Sequence, residues 1–191
     1  MLSTFWQRAD LSIEKRKGVK MDIFDTVKTM LAVRGYKADP IPGEIVSRIV
    51  EAGRLTASAM NRQHWDFVVV QDRQALQQLG KLASTGPYIA QAPLAIAVAV
   101  PDSILGHIDG ARAVQDMMLV GWEAGVGSNW VGNVNTAEIK KLLNIPEDKM
   151  VLTIIPFGYP AEEIGRGVKD RKPLSEVAHA GRYGTPYRSA S

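Results

Sequence analysis

An uninterrupted apolar run at residues 93–100 limits how this chain can fold more than any other stretch of its sequence. Every position in the run is apolar, so it lacks the alternation that is typical of a strand with one face in water. Continuously apolar strands are those that other elements cover on both faces. The run therefore predicts a strand that is buried on both sides, and the fold must supply layers to cover it.

The sequence before this run predicts two helices, a strand and a third helix. Apolar residues recur at helical spacing from Met21 and predict a first helix that ends near Arg34-Gly35. Two prolines then mark a turn, and Gly43 opens a second helix with an apolar stripe along one face. Residues 65–71 are rich in β-branched and aromatic side chains and predict a strand, and Asp72 is expected to cap the next helix.

The sequence after the run predicts two more helices and a last strand. Asp109 is expected to cap a long helix that continues to about Ala124, and Thr136 is expected to open a short one. Residues 150–157 predict the final strand. From Tyr159 onward the chain has prolines and no regular period, so we expect an extended tail over a surface. Helices and strands of these lengths indicate an α/β sandwich in the α+β class.

Composition excludes several kinds of chemistry. The chain has 191 residues and 46% hydrophobic composition, which fits one domain with its own core. It has no cysteine, so disulfides, thiolate metal sites and cysteine nucleophiles are excluded. The three histidines stand at no ligand-like spacing, and we expect no zinc or iron site. A bound organic cofactor is the natural alternative source of reactivity.

The charge pattern argues against nucleic acid and membrane partners. The net charge is +3, but basic residues are scattered and interleaved with acidic ones, which does not indicate nucleic acid binding. No apolar run approaches the length that spans a bilayer, and the N-terminus lacks the pattern of a signal peptide. We therefore expect a cytoplasmic protein.

Residues 1–20 form a segment of their own, ahead of the domain expected at 21–191. They combine Phe5 and Trp6 with a basic cluster near Lys15 and Lys20, and they precede a second methionine. Three interpretations stay open: an N-terminal arm that straps a partner subunit, a disordered tail, or a misplaced start.

Residues 58–65 are the most informative stretch for function. They place hydroxyl and amide side chains in a short loop between a helix and a strand. Asn and Gln each offer a donor and an acceptor, the pairing that the edge of a heteroaromatic ring requires. An ordinary polar turn, whose amides bind nearby backbone, is the alternative that physical reasoning alone favours.

This loop resembles the Pro-Ser-x-x-Asn-x-Gln-Pro-Trp segment of the nitroreductase family, which is likewise followed by a Phe-Val-Val-Val strand. The matching residues are Ser58, Asn61, Gln63 and Trp65. Ala57 and His64 stand where the family usually has proline, so the loop is expected to be less rigid here.

Further segments resemble the same family in the same order. Residues 125–132 are similar to its Gly-Leu-Gly-x-x-Trp-Ile-Gly segment, which lies against the reactive face of the flavin, although a glycine helix cap would account for the first glycines equally well. Residues 158–160 and 169–173 are similar to its Gly-Tyr-Pro and Lys-x-Arg-x-Pro elements. In the family the Lys and Arg hold the FMN phosphate; solvated surface charges are the alternative.

Helix one departs from the family pattern. The family usually has Arg-x-Ser-x-Arg or Lys there, whereas this chain has Met30, Ala32 and Arg34. Lost charge-assisted hydrogen bonds, each of roughly 1.5–3 kcal/mol, would weaken FMN binding by more than tenfold. Alternatively, the site favours a different flavin-like ligand, or Met30 simply completes the apolar stripe of the helix.

The resemblance covers residues 21–177 and implies a nitroreductase-like fold, in which helices flank a central sheet and two chains form a domain-swapped homodimer. It implies one FMN per subunit at the dimer interface, NADH or NADPH as the electron donor, and a nitroaromatic, quinone or similar acceptor in a ping-pong scheme. Reductive dehalogenation or flavin fragmentation, and flavin binding without efficient turnover, stay as alternatives. No acid, base or nucleophile is assigned. The implied cofactor-binding residues are Arg34, Lys169 and Arg171 at the phosphate, Ser58, Ala59, Met60, Asn61 and Gln63 along the ring and ribityl chain, and Val131 and Gly132 near N5.

Overall fold

The computed structural model describes residues 22–162 and 169–187, so the predicted arm at 1–20 lies outside the described residues. Within them, four strands form one sheet in the order β1-β2-β4-β3, and every neighbouring pair is antiparallel. The strands are β1 (Asp66–Val70), β2 (Leu94–Pro101), β3 (Gly127–Ser128) and β4 (Lys149–Gly158). The mixed α+β class predicted from the sequence is confirmed.

Strand β2 lies between β1 and β4, and its residues from Leu94 to Val100 are buried. Its larger side chains, at even positions such as Ile96 and Val98, join the core under α2 (Gly43–Leu55). Its alanines, at odd positions, join a second core on the opposite face of the sheet. Successive strand residues point to opposite faces, and both faces of β2 are covered. The prediction of a strand buried on both sides is confirmed.

The structure describes six α-helices, and most of them begin where the sequence predicts. Gly43 opens α2, the Asp72 carboxylate accepts a hydrogen bond from Ala75 N at 2.8 Å, and the Thr136 hydroxyl accepts one from Ile139 N at 3.2 Å. These caps satisfy backbone donors that a helix leaves free at its start. The helices are α1 (Ile23–Thr29), α2 (Gly43–Leu55), α3 (Arg73–Leu82), α4 (Ile104–Glu123), α5 (Ala137–Leu143) and α6 (Leu174–Val177).

The predicted end of the first helix, near Arg34-Gly35, is wrong. Helix α1 ends at Thr29, and the chain continues extended, because Ala32 forms a parallel bridge with Ser128 and Tyr36 an antiparallel bridge with Pro160. Pairing with the edge of the sheet replaces helical hydrogen bonds in this segment. Arg34 and Ala32 therefore stand on an extended chain rather than in the first helix.

The predicted cap of the long helix is also wrong. Ser103 caps α4, since its Oγ accepts a hydrogen bond from Gly106 N at 3.1 Å. The chain turns into the helix directly after β2 ends at Pro101, so Ser103 is already in place to cap it. Asp109 lies inside the helix with 1% of its surface exposed, and its carboxylate faces another part of the protein.

The tail is largely irregular, as the sequence predicts. Apart from the single turn of α6, residues 169–187 form bends and a bridge between His179 and Pro186, and most of them are exposed. None of the helices within the described ranges is long and apolar enough to cross a membrane.

Candidate functional site

The amide loop (residues 58–63) has an unusual backbone. Met60, Asn61 and Gln63 have φ angles of 53°, 54° and 53°, in the left-handed region that side chains other than glycine rarely adopt. Hydrogen bonds inside the loop close it: Gln63 N donates to the Ser58 hydroxyl at 2.9 Å, and Arg62 N donates to the Ala59 carbonyl at 3.1 Å. Strained conformations of this kind concentrate at ligand sites.

Three side chains of the amide loop are available to a ligand. Met60 is 69% exposed, and Asn61 and Gln63 are exposed as well. Ser58 and Ala59 are half-buried and serve the loop itself, because the Ser58 hydroxyl is engaged by Gln63 N. The Gln63 amide Nε2 also donates to the Asn61 carbonyl at 3.3 Å, as the polar-turn alternative expects, so ligand binding by this loop stays a prediction.

Helix α4 contacts the amide loop and the chain just before it through two carboxylates seven residues apart. Both Asp109 oxygens lie 3.2 Å from Ala59 N, and Oδ2 also lies 3.2 Å from His64 Nδ1. Two turns later, Asp116 Oδ2 accepts a hydrogen bond from the Thr56 hydroxyl at 2.6 Å. Sequence reasoning missed Asp109, because an aspartate ahead of an apolar helix is typical of a cap. The seven-residue spacing between Asp109 and Asp116, which puts both on one face of a helix, was the available signal that they share a role.

The glycines of residues 125–132 serve three different purposes. Gly125 has φ 79° and ends α4, with Val126 N donating to Gly121 O at 2.8 Å, so the helix-cap interpretation holds for this position. Gly127 lies against Val33, whose methyl groups fill the space of a Cβ. Gly132 is different, because a Cβ there would meet only Trp130 Nε1, at 4.0 Å. Its backbone is open to the approach of a flat ligand.

Val131 and Gly132 differ in how open they are to a ligand. The Val131 side chain is buried against Gly86, and its N–H donates to the Ile154 carbonyl at 3.2 Å. The Gly132 carbonyl accepts a hydrogen bond from the Thr85 hydroxyl at 2.7 Å, which fixes the orientation of its peptide. Of the two residues predicted near N5, Gly132 therefore has the more open backbone.

Arg34 is exposed on the extended segment beside β3. Val33 is buried there and its N–H donates to the Ser128 carbonyl at 2.9 Å. The Tyr36 hydroxyl donates to the Val33 carbonyl at 2.5 Å. Burial raises the pKa of Tyr36 well above its ordinary value, and the nearby Tyr88 adds to the effect, so this hydroxyl keeps its proton. Ala32 and Arg34 alternate with Val33 and point away from the core together.

The two tail cations differ in their placement. Lys169 is half-buried, and its Nζ donates to the Val27 carbonyl at 2.6 Å, in the last turn of α1. The structure thus brings Lys169 to the helix that leads into the Arg34 segment. Arg171 is exposed, and its Nη1 donates to the carbonyl of Asp170 at 2.7 Å, so it faces its own backbone rather than a shared site.

The predicted site residues fall into two groups near opposite edges of the sheet. The amide loop precedes β1, the strand at one edge, whereas the segment of Arg34 pairs with β3, the neighbour of Gly132 pairs with β4, and Lys169 contacts α1. Three spacings between neighbouring strands separate β1 from β3, about 14 Å. The two groups of predicted residues therefore stand near opposite edges of the sheet.

A third feature is an apolar face between α1, α2 and α4, which contains a cavity of about 480 Å³. Ile23 on α1 is 82% exposed and Leu55 on α2 is 66% exposed, although both are large apolar side chains. None of the predicted cofactor residues lines this cavity. Its lining residues are Ile23, Thr26, Ala52, Leu55, Asp116, Leu119, Val120 and Glu123.

Comparison with known proteins gives concordant matches. The sequence model of the Nitroreductase family matches residues 31–107 and 86–159. A protein of Methanothermobacter thermautotrophicus, provisionally named NADH dehydrogenase/NAD(P)H nitroreductase, is 32% identical over 156 residues, which are 76% of this chain and 81% of that protein. The NADPH-flavin oxidoreductase of Vibrio harveyi is 25% identical over 181 residues, 83% of this chain and 75% of that protein.

Among solved structures, the chain is similar to an FMN-dependent nitroreductase from Clostridium difficile R20291. The two superpose with a TM-score of 0.75 at 25% identity, over 84% of this chain and 99% of the other.

Proposed function

This chain belongs to the nitroreductase family, and on that basis we propose that it is an FMN-dependent oxidoreductase that passes electrons from NADH or NADPH to a nitroaromatic, quinone or similar acceptor. The observation that carries the proposal is the 32% identity to the Methanothermobacter protein over most of both chains. The names of further relatives, NADPH-flavin oxidoreductase and FMN-dependent nitroreductase, agree on the cofactor class.

The residues present fit a flavin mononucleotide. Gly132 leaves open the space that a side chain would fill, which lets a flat ring approach the backbone. Exposed amides on a strained loop suit the carbonyl and N–H groups of a flavin edge. Lys169 and Arg34 supply cations near the same segment, and cations suit a phosphate.

The roles that we propose for the chain's own residues follow from this placement. Lys169 and Arg34 bind the phosphate, with Arg171 joining them when its side chain turns from its own backbone. Asn61 and Gln63 orient the ring through its polar edge, Met60 covers it, and Gly132 approaches near N5. Bound FMN would supply the redox chemistry between the nicotinamide donor and the acceptor, so the protein would need no acid, base or nucleophile of its own for it.

We propose that each flavin lies across the interface of a homodimer, with the amide loop of one subunit and the Arg34, Gly132 and Lys169 group of the other. The position of these groups near opposite edges of the sheet supports this arrangement. The exposed Ile23 and Leu55 on the apolar face supply the kind of surface that a stable dimer buries.

Subunit complementation tests the shared site. One variant carries Asn61→Asp in the amide loop, and the other carries Arg34→Glu; each alone is expected to lose FMN. When the two are co-expressed and the mixed dimer is isolated with two affinity tags, half of the FMN sites are expected to return, because one site then contains both unaltered groups. If each site belonged to one chain, every site in the mixed dimer would carry a defect, and no FMN would return.

Visible absorption of the freshly purified protein and steady-state kinetics test the function itself. We expect flavin absorption, or its appearance on adding FMN, and oxidation of NADH or NADPH with a quinone or nitroaromatic acceptor. Parallel double-reciprocal lines are expected for the ping-pong scheme, in which donor and acceptor use one pocket in turn. FMN binding without turnover for any donor would instead favour a flavin-binding protein, which the absence of phosphate donors at Met30 and Ala32 makes a specific second candidate.

A further inference from the structure

We propose that Asp109 and His64 are positioning residues, and that together they fix the conformation of the amide loop. The proposal that the loop contacts a flavin rests on the proposed function, whereas the anchoring of the loop does not. The contacts that carry the inference join one point on α4 to the beginning and to the end of the loop.

The buried Asp109 carboxylate is a strong anchor. It is 1% exposed, and a carboxylate removed from water in this way requires donors. Ala59 N lies 3.2 Å from each of its oxygens, and His64 Nδ1 lies 3.2 Å from Oδ2. Since Ala59 is at the start of the loop and His64 directly follows it, the two ends are held at a single side chain on a long, rigid helix.

The amide loop needs such an anchor because its own sequence supplies little rigidity. Residues 57–64 contain no proline, and three non-glycine residues, Met60, Asn61 and Gln63, have left-handed φ angles. Such residues return to ordinary φ angles unless the surroundings hold them. The hydrogen bond from Gln63 N to the Ser58 hydroxyl closes the loop but ties it to nothing outside itself. The contacts with Asp109 join it to the protein core.

A purely structural role for Asp109 makes a different prediction. If the carboxylate only stabilised α4, its removal would loosen the whole domain, and His64 would be unimportant. If it anchors the loop, its removal acts on residues 58–63 first, and a change at His64 has a smaller effect of the same kind. Arg62 is an exposed trypsin site within this loop and reports on its local order.

Limited trypsin digestion of flavin-free protein, followed by mass spectrometry, tests the anchor. We expect cleavage after Arg62 to accelerate at least tenfold in Asp109→Asn and several-fold in His64→Gln. Cleavage after Arg182, in the exposed tail, should stay within twofold of the unaltered protein and serves as the internal reference. Asp102→Asn is the matched control, because Asp102 is an exposed carboxylate 3.7 Å from His107 Nε2.

Equal acceleration at Arg62 and Arg182 in Asp109→Asn, or no acceleration at Arg62 in His64→Gln, would overturn the proposal. Should Asp109→Asn fail to fold, the His64→Gln result alone decides. Flavin titration then extends the test: Asp109→Asn is expected to weaken FMN and riboflavin by the same factor, about tenfold, because the loop faces the ring. If the unaltered protein binds no flavin, the proposed function fails, while the digestion pattern still decides the anchor.

Discussion

Val33 and Gly127 pack so closely that the Val33 methyl groups occupy the space in which a Cβ of residue 127 would lie. The same pair of segments shares a hydrogen bond from Val33 N to the Ser128 carbonyl at 2.9 Å. Val33 is the neighbour of Arg34, so this contact fixes where the extended segment and its exposed arginine stand relative to β3. A glycine is required here for space, since its φ is not in the left-handed region.

Gly127→Ala is expected to destabilise the protein by roughly 1–3 kcal/mol, the usual effect of adding a methyl group to a filled core. Gly43→Ala is the control, because a Cβ at Gly43 meets nothing within 4 Å; at the start of α2 it should change stability by no more than about 1 kcal/mol. Urea unfolding at one fixed protein concentration measures both. Equal stability of the two variants would contradict the close contact with Val33.

Met30→Arg together with Ala32→Ser is expected to tighten FMN binding by about tenfold or more, because charge-assisted hydrogen bonds to a phosphate contribute roughly 1.5–3 kcal/mol each. Residues 30, 32 and 34 lie on the extended chain after α1, where alternate residues share one side. The new side chains would therefore stand on the same side as Arg34. Fluorescence titration measures the affinity. Gln77→Arg on the exposed side of α3 adds the same charge elsewhere and should leave the affinity unchanged; an equal gain in this control would mean that net charge alone attracts FMN.

Arg171→Glu is expected to weaken FMN binding at least tenfold, about 1.4 kcal/mol, while riboflavin binding stays the same, because only FMN carries the phosphate that the new carboxylate repels. Arg182→Glu, at an exposed tail position, is the control for a general change of charge. Isothermal titration with both flavins gives the comparison. Equal affinity of the unaltered protein for FMN and riboflavin would remove Arg34, Lys169 and Arg171 from the phosphate site together.

Tyr36 makes the stability of the protein decrease as the pH rises in the alkaline range. Burial raises the pKa of its phenol, so the folded protein keeps this proton above about pH 10, where tyrosine in the unfolded chain loses it. The unfolded state then binds fewer protons, and the free energy of unfolding falls as pH rises above about 10, by up to about 1.4 kcal/mol per pH unit for this group.

Tyr36→Phe should therefore be less stable by about 1 kcal/mol near neutral pH, because it loses the hydrogen bond to the Val33 carbonyl. It should also lose stability less steeply above pH 10. Urea unfolding between pH 7 and 11 measures the difference, with Tyr183→Phe, which is 94% exposed, as the control. Parallel curves for all three proteins would show that Tyr36 ionises as easily in the folded protein as in the unfolded one.

The parts of the fold that the sequence predicts are those whose determinants are local. Burial on both faces leaves β2 without polar residues, and short polar side chains at Asp72 and Thr136 mark helix starts wherever the chain leaves a strand or loop. The end of α1, in contrast, has no local determinant. Apolar spacing continues past Thr29, and the helix stops because Ser128, far along the chain, pairs with Ala32.

In the candidate site, too, local features could be predicted and long-range contacts could not. The residue types of the amide loop could be identified from their order, but the role of Asp109 could not, because Ala59 and His64 stand 50 and 45 positions before it in the chain. Nor could residue order reveal that the loop and Gly132 lie near opposite edges of the sheet. That follows from the strand order β1-β2-β4-β3, which depends on long-range pairing.

The segment that carries Arg34 is fixed by pairing with residues 159–161, directly after β4: Lys37 N donates to the Tyr159 carbonyl at 2.8 Å, and Ala161 N donates to the Gly35 carbonyl at 3.0 Å. Contacts between residues so distant in sequence form late, because the closure of a long loop must precede them. During synthesis, these hydrogen bonds must wait until residue 161 has left the ribosome. A chain released before that point would contain the β1, β2 and α4 residues but would lack the contacts that close its Arg34 segment onto the sheet.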